Sequence, residues 1–302
     1  MHRRPLRGAL RRTRIAATAV LWLGACPMST LSAQTPVFTE VSVHEAYVEV
    51  PGARIFYRDT GGSGTPVVFL HAATGSSRVW DNQIPAFGMA GYRLIAFDRR
   101  GWGRTASDAA ESQPSTVADD LLVLLDRLGI ERAHLVGTAA GGAVALDFTL
   151  SFPRRLRSLV IANAIGGIED QEFLELGRRL RPPQFEALPP DLRELGPAYR
   201  AAQPEGTKRW IDLEKLSRPA GPPARAQPLR NRLTFSVLEN IRVPTLLITG
   251  GADMYAPPPV LGLFTSRIQG SESLIVPEAG HSTYWEQPEV FNRAVLDFIG
   301  KH

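Results

Sequence analysis

Cysteine is almost absent from this sequence: Cys26 is the only one in 302 residues. A single thiol cannot close an intramolecular disulfide, so the folded part must stand on its own core, and 44% hydrophobic residues are ample for one. The same scarcity excludes a cysteine-based metal site or a cysteine nucleophile from the folded domain. Histidine is sparse as well, with six residues of which His2 and His302 are terminal, and no histidine–carboxylate spacing suggests a metal site. Acidic residues are missing until Glu40, while six arginines (Arg3, Arg4, Arg7, Arg11, Arg12 and Arg14) crowd the start. Setting residues 1–33 aside leaves 28 basic against 30 acidic residues and turns the formal charge from +4 to −2. A domain so balanced lacks the concentrated positive charge that a phosphate backbone calls for, which argues against nucleic acid as a partner. No Walker lysine follows a phosphate-cradling loop, and the spacing of Gly137, Gly141 and Gly142 differs from G-x-G-x-x-G, so no cofactor is expected.

What is present begins with a leader. The basic stretch to Arg14 precedes the apolar run Ile15–Leu23, and Leu31-Ser32-Ala33 offers a small residue at a cleavage point. The run covers nine residues, against the ~20 needed to span a hydrocarbon core. Residues 1–33 therefore read as a signal peptide, and the product as an exported, periplasmic or secreted protein without a stable transmembrane segment. Leu23-Gly24-Ala25-Cys26 also resembles the lipobox of bacterial lipoproteins, so a lipid anchor at Cys26 is the alternative. Nothing in the sequence sets the oligomeric state.

Beyond the leader the chain has the rhythm of a mostly parallel sheet covered by helices. Tyr47–Val50 and Arg54–Tyr57 alternate around the turn Pro51-Gly52, and apolar runs at Val67–Leu70 and Tyr92–Phe97 read as strands. Ser115–Leu128 has helical spacing, with Val117, Leu121, Leu124, Leu125 and Leu128 on one side. His134–Val136 (strand), Gly141–Phe152 (helix) and Leu156–Ala162 (strand) follow. From Glu169 to Leu233 the pattern turns polar, patchily helical and proline-broken, with Phe185 and Trp210 available for an inner apolar surface. Strands return at Pro244–Thr249 and Leu274–Val276. Glu289–Ile299 closes the chain as a helix with Val290, Phe291, Ala294, Val295 and Phe298 on its buried side.

In doubly wound sheets, ligands collect outside the carboxyl ends of the strands. Four of the expected strand ends carry unusual loops: His71-Ala72-Ala73-Thr74-Gly75, Gly137-Thr138-Ala139-Ala140-Gly141-Gly142, Gly250-Gly251-Ala252-Asp253, and Pro277-Glu278-Ala279-Gly280-His281. Together with Phe97-Asp98-Arg99-Arg100-Gly101-Trp102-Gly103-Arg104-Thr105, their order and spacing resemble the α/β-hydrolase superfamily. The likeness is to its cap-bearing members, among them lactonases, epoxide hydrolases and C–C bond hydrolases. The resemblance covers about residues 47–165 and 238–300. It implies an α/β fold with a mostly parallel eight-stranded sheet flanked by helices, a core of residues 34–165 and 236–302, and a helical cap inserted at 166–235. It also implies a nucleophile elbow at 137–142, the catalytic acid at Asp253, the catalytic histidine at His281, and oxyanion-hole amides from Ala72 and Ala140. Glu278 and Glu272 are lesser candidates for the acid. His71 reads as a structural loop residue ahead of a proton shuttle.

The departure from that pattern is the nucleophile. Ala139 stands where serine, aspartate or cysteine forms a covalent intermediate, and a methyl group cannot attack a carbonyl or an epoxide. Thr138, Ser76 and Ser77 are the neighbouring hydroxyls. Either the alanine is an introduced substitution that traps substrate, or it is native and His281 with Asp253 activates water or abstracts a substrate proton directly. The expected substrate is a small to medium apolar ester, lactone or activated carbonyl compound. The alternatives are non-covalent lyase or cofactor-free oxygenase chemistry, or a ligand-binding protein without turnover. Trp80, Trp102, Trp210, Tyr255, Tyr284 and Trp285 are aromatic candidates for the pocket, each with a core role as its alternative. Arg99 and Arg100 stand as carboxylate contacts or as structural anchors.

Overall fold

The computed structural model describes residues 41–107, 115–164, 167–218 and 226–302. The leader expected at residues 1–33 and the lipobox cysteine lie outside them. Gly52, at a positive φ of 71°, turns the chain between β1 (His44–Val50) and β2 (Ala53–Asp59), an antiparallel pair in register from Val50–Ala53 to His44–Asp59. Then come β3 (Pro66–Leu70), α1 (Ile84–Met89), β4 (Arg93–Phe97), the two-residue β5 (Ala106–Ser107), α2 (Val117–Arg127), β6 (Ala133–Thr138), α3 (Ala140–Ser151) and β7 (Leu156–Ala162). The start of α2 is fixed by a capping box in which the Thr116 hydroxyl accepts from the Asp119 N–H while the Asp119 carboxylate reaches back.

The polar stretch that follows contains no strand among its described residues. It forms α4 (Gln171–Leu180), α5 (Pro190–Glu194), α6 (Pro197–Ala202) and α7 (Pro204–Leu216). Three of the prolines that interrupt the sequence pattern open these helices, where a missing N–H has no intrahelical partner to lose. Phe185 and Trp210 are buried, as expected of an inner cap surface. The chain re-enters the core through α8 (Phe235–Leu238), β8 (Thr245–Gly250), α9 (Pro258–Thr265), β9 (Glu272–Val276), α10 (Thr283–Glu286) and α11 (Pro288–Ile299). In α11 one expectation fails: Val290 is exposed and Asn292 is buried in its place, its amide donating to the Asn82 carbonyl at 3.1 Å.

The sheet runs β1-β2-β4-β3-β6-β7-β8-β9, with β5 paired to β2 off this path. Among the described residues, eight strands form the continuous sheet and the two-residue β5 makes nine. From β4 to β9 the pairing is parallel throughout, while β1 and β2 are antiparallel. One face packs through Val68, Leu70, Leu135 and Ile161 against α2, α3 and α9. The other packs through Val67, Phe69, Val136 and Val160 against α1 and α11. Strands buried on both faces explain the uninterrupted apolar runs in the sequence. The chain order reverses at β3, which lies between β4 and β6, and Leu70 pairs with Gly137 across that switch point. The first loop and the elbow are thereby set side by side in the crevice where ligands gather.

Candidate active site

Ala139 links β6 to α3 at φ 49° and ψ −118°, a backbone conformation that L-residues rarely adopt. The strain is held by bonds on both sides: its N–H donates to the Ala162 carbonyl at 3.0 Å, and its own carbonyl accepts from the Gly142 N–H at 2.9 Å. Two glycines make the turn passable. A Cβ on Gly137 would lie 2.5 Å from the Gly141 carbonyl oxygen, and a Cβ on Gly141 would collide with the Leu70 carbonyl. The elbow geometry is thus complete, with a methyl group at its tip. Ala140 opens α3, so its N–H has no intrahelical acceptor. Ala72 is buried and its N–H donates to no group among the described residues, while its carbonyl accepts from Gly75.

Asp253 and His281 form a hydrogen-bonded carboxylate–imidazole pair. Asp253 follows β8 and His281 follows β9, and the imidazole Nδ1 lies 2.9 and 2.8 Å from the two carboxylate oxygens. The carboxylate also accepts from the Tyr255 and Ala256 amides at 2.8 and 2.9 Å and from the Asn163 side-chain amide at 3.0 Å. Burial pushes the Asp253 carboxyl up, but His281, the Ala256 amide and Asn163 outweigh it and hold it below the usual range. For His281 burial pushes down, and the charge and hydrogen bond of Asp253, with help from Glu194, raise it above the ordinary imidazole value. Nδ1 is therefore the protonated nitrogen in the neutral ring, leaving Nε2 as its basic position. The ring bonds to Asp253 alone among the described residues, so no hydroxyl of Thr138, Ser76 or Ser77 is in reach of it. Ser76 is instead an acceptor for Ser217 of the cap at 3.1 Å.

Glu278 is exposed and Glu272 pairs with Lys301, and the His281 ring bonds to neither but to Asp253. His71 is fully used by structure: Nδ1 donates to the Ala72 carbonyl at 2.7 Å and Nε2 accepts from the Arg99 N–H at 3.1 Å. Burial, reinforced by Arg99, holds it well below the ordinary imidazole range. Arg100 is an anchor, gripping Asp120 with two bonds of 2.8 Å. Among the aromatics, Tyr255 stands 4.4 Å from the His281 ring, centroid to centroid, and Trp102 donates its indole N–H to Ala73 at 2.7 Å. Trp80 and Tyr284 are 0% and 1% exposed and stack on each other within the core. Trp210 and Trp285 are buried in the same cluster, so these four serve packing rather than line an open pocket. Beside Tyr255 a cleft of about 210 Å³ runs along α4, lined by Phe173, Leu174, Arg178, Arg181 and Val260.

Three contributors were not singled out in the sequence. Asn163, just after β7 at φ 50°, bridges the Asp253 carboxylate, the Gly280 carbonyl and Thr283. Asparagine tolerates that left-handed conformation, and its strand-end position was the available signal. Glu194, from the cap, accepts the His281 N–H through its main-chain carbonyl at 2.7 Å. Burial, with Asp253 and Glu214, pushes its carboxyl up to about 7 against the pull of His281 and Arg193. Glu286 accepts from the amides of Gly196 and Gly280 at 2.8 and 3.0 Å, tying the cap to the histidine loop.

A family model described as the alpha/beta hydrolase family matches residues 67–294. A 2-hydroxy-6-oxononadienedioate/2-hydroxy-6-oxononatrienedioate hydrolase of Paraburkholderia phymatum is 32% identical over 277 residues, covering 82% of this chain and 91% of its own. Among solved structures, a thermophilic esterase of Thermogutta terrifontis with malate bound superposes with a TM-score of 0.71 at 25% identity. It covers 85% of this chain and 98% of that one. An enzyme that degrades N-acyl homoserine lactones gives 0.68 at 25%, with 84% and 100% covered.

Proposed function

Because the chain belongs to the alpha/beta hydrolase family, we propose that it hydrolyses a small to medium apolar ester, lactone or activated carbonyl compound without a covalent enzyme intermediate. One observation carries the reading: His281 keeps a complete orienting shell around Asp253, while Ala139 at the elbow offers no group for it to activate. Nε2 takes a proton from a water, whose hydroxide oxygen bonds to the carbonyl carbon while the carbonyl electron pair moves onto oxygen. The amides of Ala72 and Ala140 stabilise that oxyanion. Its collapse expels the alkoxide, which takes the proton back from the imidazolium, so the enzyme is regenerated and one water is consumed. The esterase and lactone-degrading structures support the substrate class. Tyr255 and Trp102 are the aromatic walls. In this reading the inserted segment 166–235 is assigned as the cap, and segments 34–165 and 236–302 as the hydrolase core. The basic-then-apolar leader supports export with cleavage after Ala33, and sequencing the mature N-terminus separates this from lipidation at Cys26.

The test is turnover of a panel of aryl esters and lactones by the unaltered protein and by His281→Ala and Ala139→Ser. His281→Ala is expected to lower kcat/KM by about 10²–10⁴. Ala139→Ser is expected to add a pre-steady-state burst of acyl-enzyme that the unaltered chain lacks. Unchanged turnover in His281→Ala overturns the general-base reading. Ala139 also favours a second reading, ligand retention without turnover, which predicts hydrolysis only after serine is restored.

A further inference from the structure

The main-chain N–H groups of Gly280, His281 and Ser282 are all satisfied from outside their own loop. His281 donates to the Glu194 carbonyl at 2.7 Å. Its two neighbours donate to a single side chain: Gly280 reaches both carboxylate oxygens of Glu286 at 3.0 Å, and Ser282 reaches Oε1 at 3.3 Å. Oε2 takes a further bond of 2.8 Å from the Gly196 N–H, at the junction of α5 and α6. Glu286 is only 7% exposed and ends α10, the one-turn helix that begins two residues after His281. A side chain four residues along a helix lies over the preceding turn, and there the first N–H groups lack intrahelical acceptors. An ionised carboxylate, which accepts through both oxygens and donates through neither, suits that place.

The two main chains meet where neither carries a side chain. A Cβ on Gly196 would lie 2.5 Å from the Glu278 carbonyl oxygen and 2.8 Å from Oε2 of Glu286. A Cβ on Gly280 would run into the Gly196 nitrogen and, at 2.8 Å, the Leu195 carbonyl carbon. The loop that carries the base is therefore gripped from two sides. Asn163, at the end of β7, holds the Gly280 carbonyl and the Thr283 hydroxyl. Glu286 holds the amides before and after His281 and joins them to the inserted helical segment.

We propose that Glu286 is a positioning residue for His281: by tying the amides on either side of the base to Gly196, it makes the fit of the imidazole to Asp253 depend on the docked segment 194–196. This role deepens the hydrolase reading and rests on it only in taking His281 as the base. Misplacing a reacting group by about 1 Å costs up to ~10²-fold in rate, so a tie made wholly to main chain still registers in turnover. Glu286→Gln keeps the shape, but its amide nitrogen takes the place of one oxygen and opposes an N–H donor, which breaks at least one tie.

The test is proton and nitrogen magnetic resonance of the histidine-labelled protein, joined to steady-state kinetics on the best ester. The Nδ1 proton between His281 and Asp253 is expected as a downfield resonance, assigned by its loss in His281→Ala. In Glu286→Gln that resonance is expected to broaden or move upfield, and kcat to fall about 10- to 100-fold with KM unchanged. Gly196→Ala, whose new Cβ pushes the segment off the loop, is expected to reproduce both changes and carries the measurement should Glu286→Gln not fold. Gly262→Ala, with open space around its added methyl, is expected to leave both as they are. An unshifted resonance in Glu286→Gln and Gly196→Ala overturns the proposal, as does a raised KM with kcat unchanged. Absence of the downfield resonance from the unaltered chain overturns it too. If the unaltered chain turns over no ester, the hydrolase reading fails, and the resonance alone decides the role of Glu286.

Discussion

On the histidine side of the site, Asp253 accepts from two amides, from Asn163 and from His281, and Asn163 is held in turn by Thr283. On the elbow side, Ala139 keeps the strained backbone of a nucleophile turn but presents only a methyl group. One half is specified by side chains, the other by main chain. A turn of this shape with a methyl group at its tip still sets the Ala140 amide at a helix start, and β6 lies beside the strand that leads into the 71–73 loop. Those are positions of N–H groups, and an alanine satisfies them as well as a serine does. The histidine half has no such indifference, because its orientation depends on every acceptor around Nδ1.

The largest expected effect breaks the side-chain half. Asp253→Asn keeps the shape but favours the wrong imidazole tautomer, and kcat/KM on the best ester is expected to fall by about 10³–10⁴. Retention of the rate would mean that His281 is not a base oriented through Nδ1. The next effect breaks the main-chain half. In Gly141→Ala the new Cβ meets the Leu70 carbonyl and, at 2.8 Å, the His71 carbonyl oxygen. Urea unfolding is expected to register a loss of about 3 kcal/mol. Gly262→Ala, in α9 with nothing near its added methyl, serves as the control and is expected to gain ~0.5–1 kcal/mol.

How much of this was legible in the sequence follows the same division. The strands were readable because sheets buried on both faces leave continuous apolar runs, and Leu156–Ala162 is reproduced residue for residue. The turn at Ala139 and the pairing of Asp253 with His281 were legible because each residue sits at a strand end with its own local pattern. Val290 was misplaced because periodicity gives a helix face only to within a residue, and Asn292 buries by finding the Asn82 carbonyl across the fold. Trp80 and Trp102 look alike in sequence. Only packing separates the one stacked on Tyr284 in the core from the one beside the first loop. The same holds for Arg99 and Arg100, adjacent in sequence and opposite in pairing, since Asp120 comes from another element.

A smaller effect sharpens the histidine half through the cap. Glu194 titrates from an ordinary 4.5 in the unfolded chain to about 7 when folded, raised by burial and by Asp253 and Glu214 against His281 and Arg193. A raised folded value means that the stabilising contribution is whole below the unfolded value and is lost as pH climbs through the folded one. Glu194→Gln is therefore expected to match the unaltered chain near pH 4.5 and to exceed it near pH 8 by up to about 3 kcal/mol, read as a melting-temperature difference that opens between those limits. A constant difference across that window would place the Glu194 carboxyl in water rather than under the cap.

The smallest effect tests whether the elbow strain belongs to the turn or to its residue. At φ 49° and ψ −118° the Cβ of Ala139 is the source of the steric penalty, of order 1–3 kcal/mol for such conformations. Ala139→Gly removes that Cβ and gives back part of the gain through the greater freedom of glycine in the unfolded chain. A net stabilisation of about 1 kcal/mol is expected in urea unfolding, with turnover unchanged because the Ala140 amide stays where α3 puts it. If Ala139→Gly instead lowers both stability and rate, the methyl group is itself packing against substrate or loop. The main-chain half of the site would then have a side chain after all.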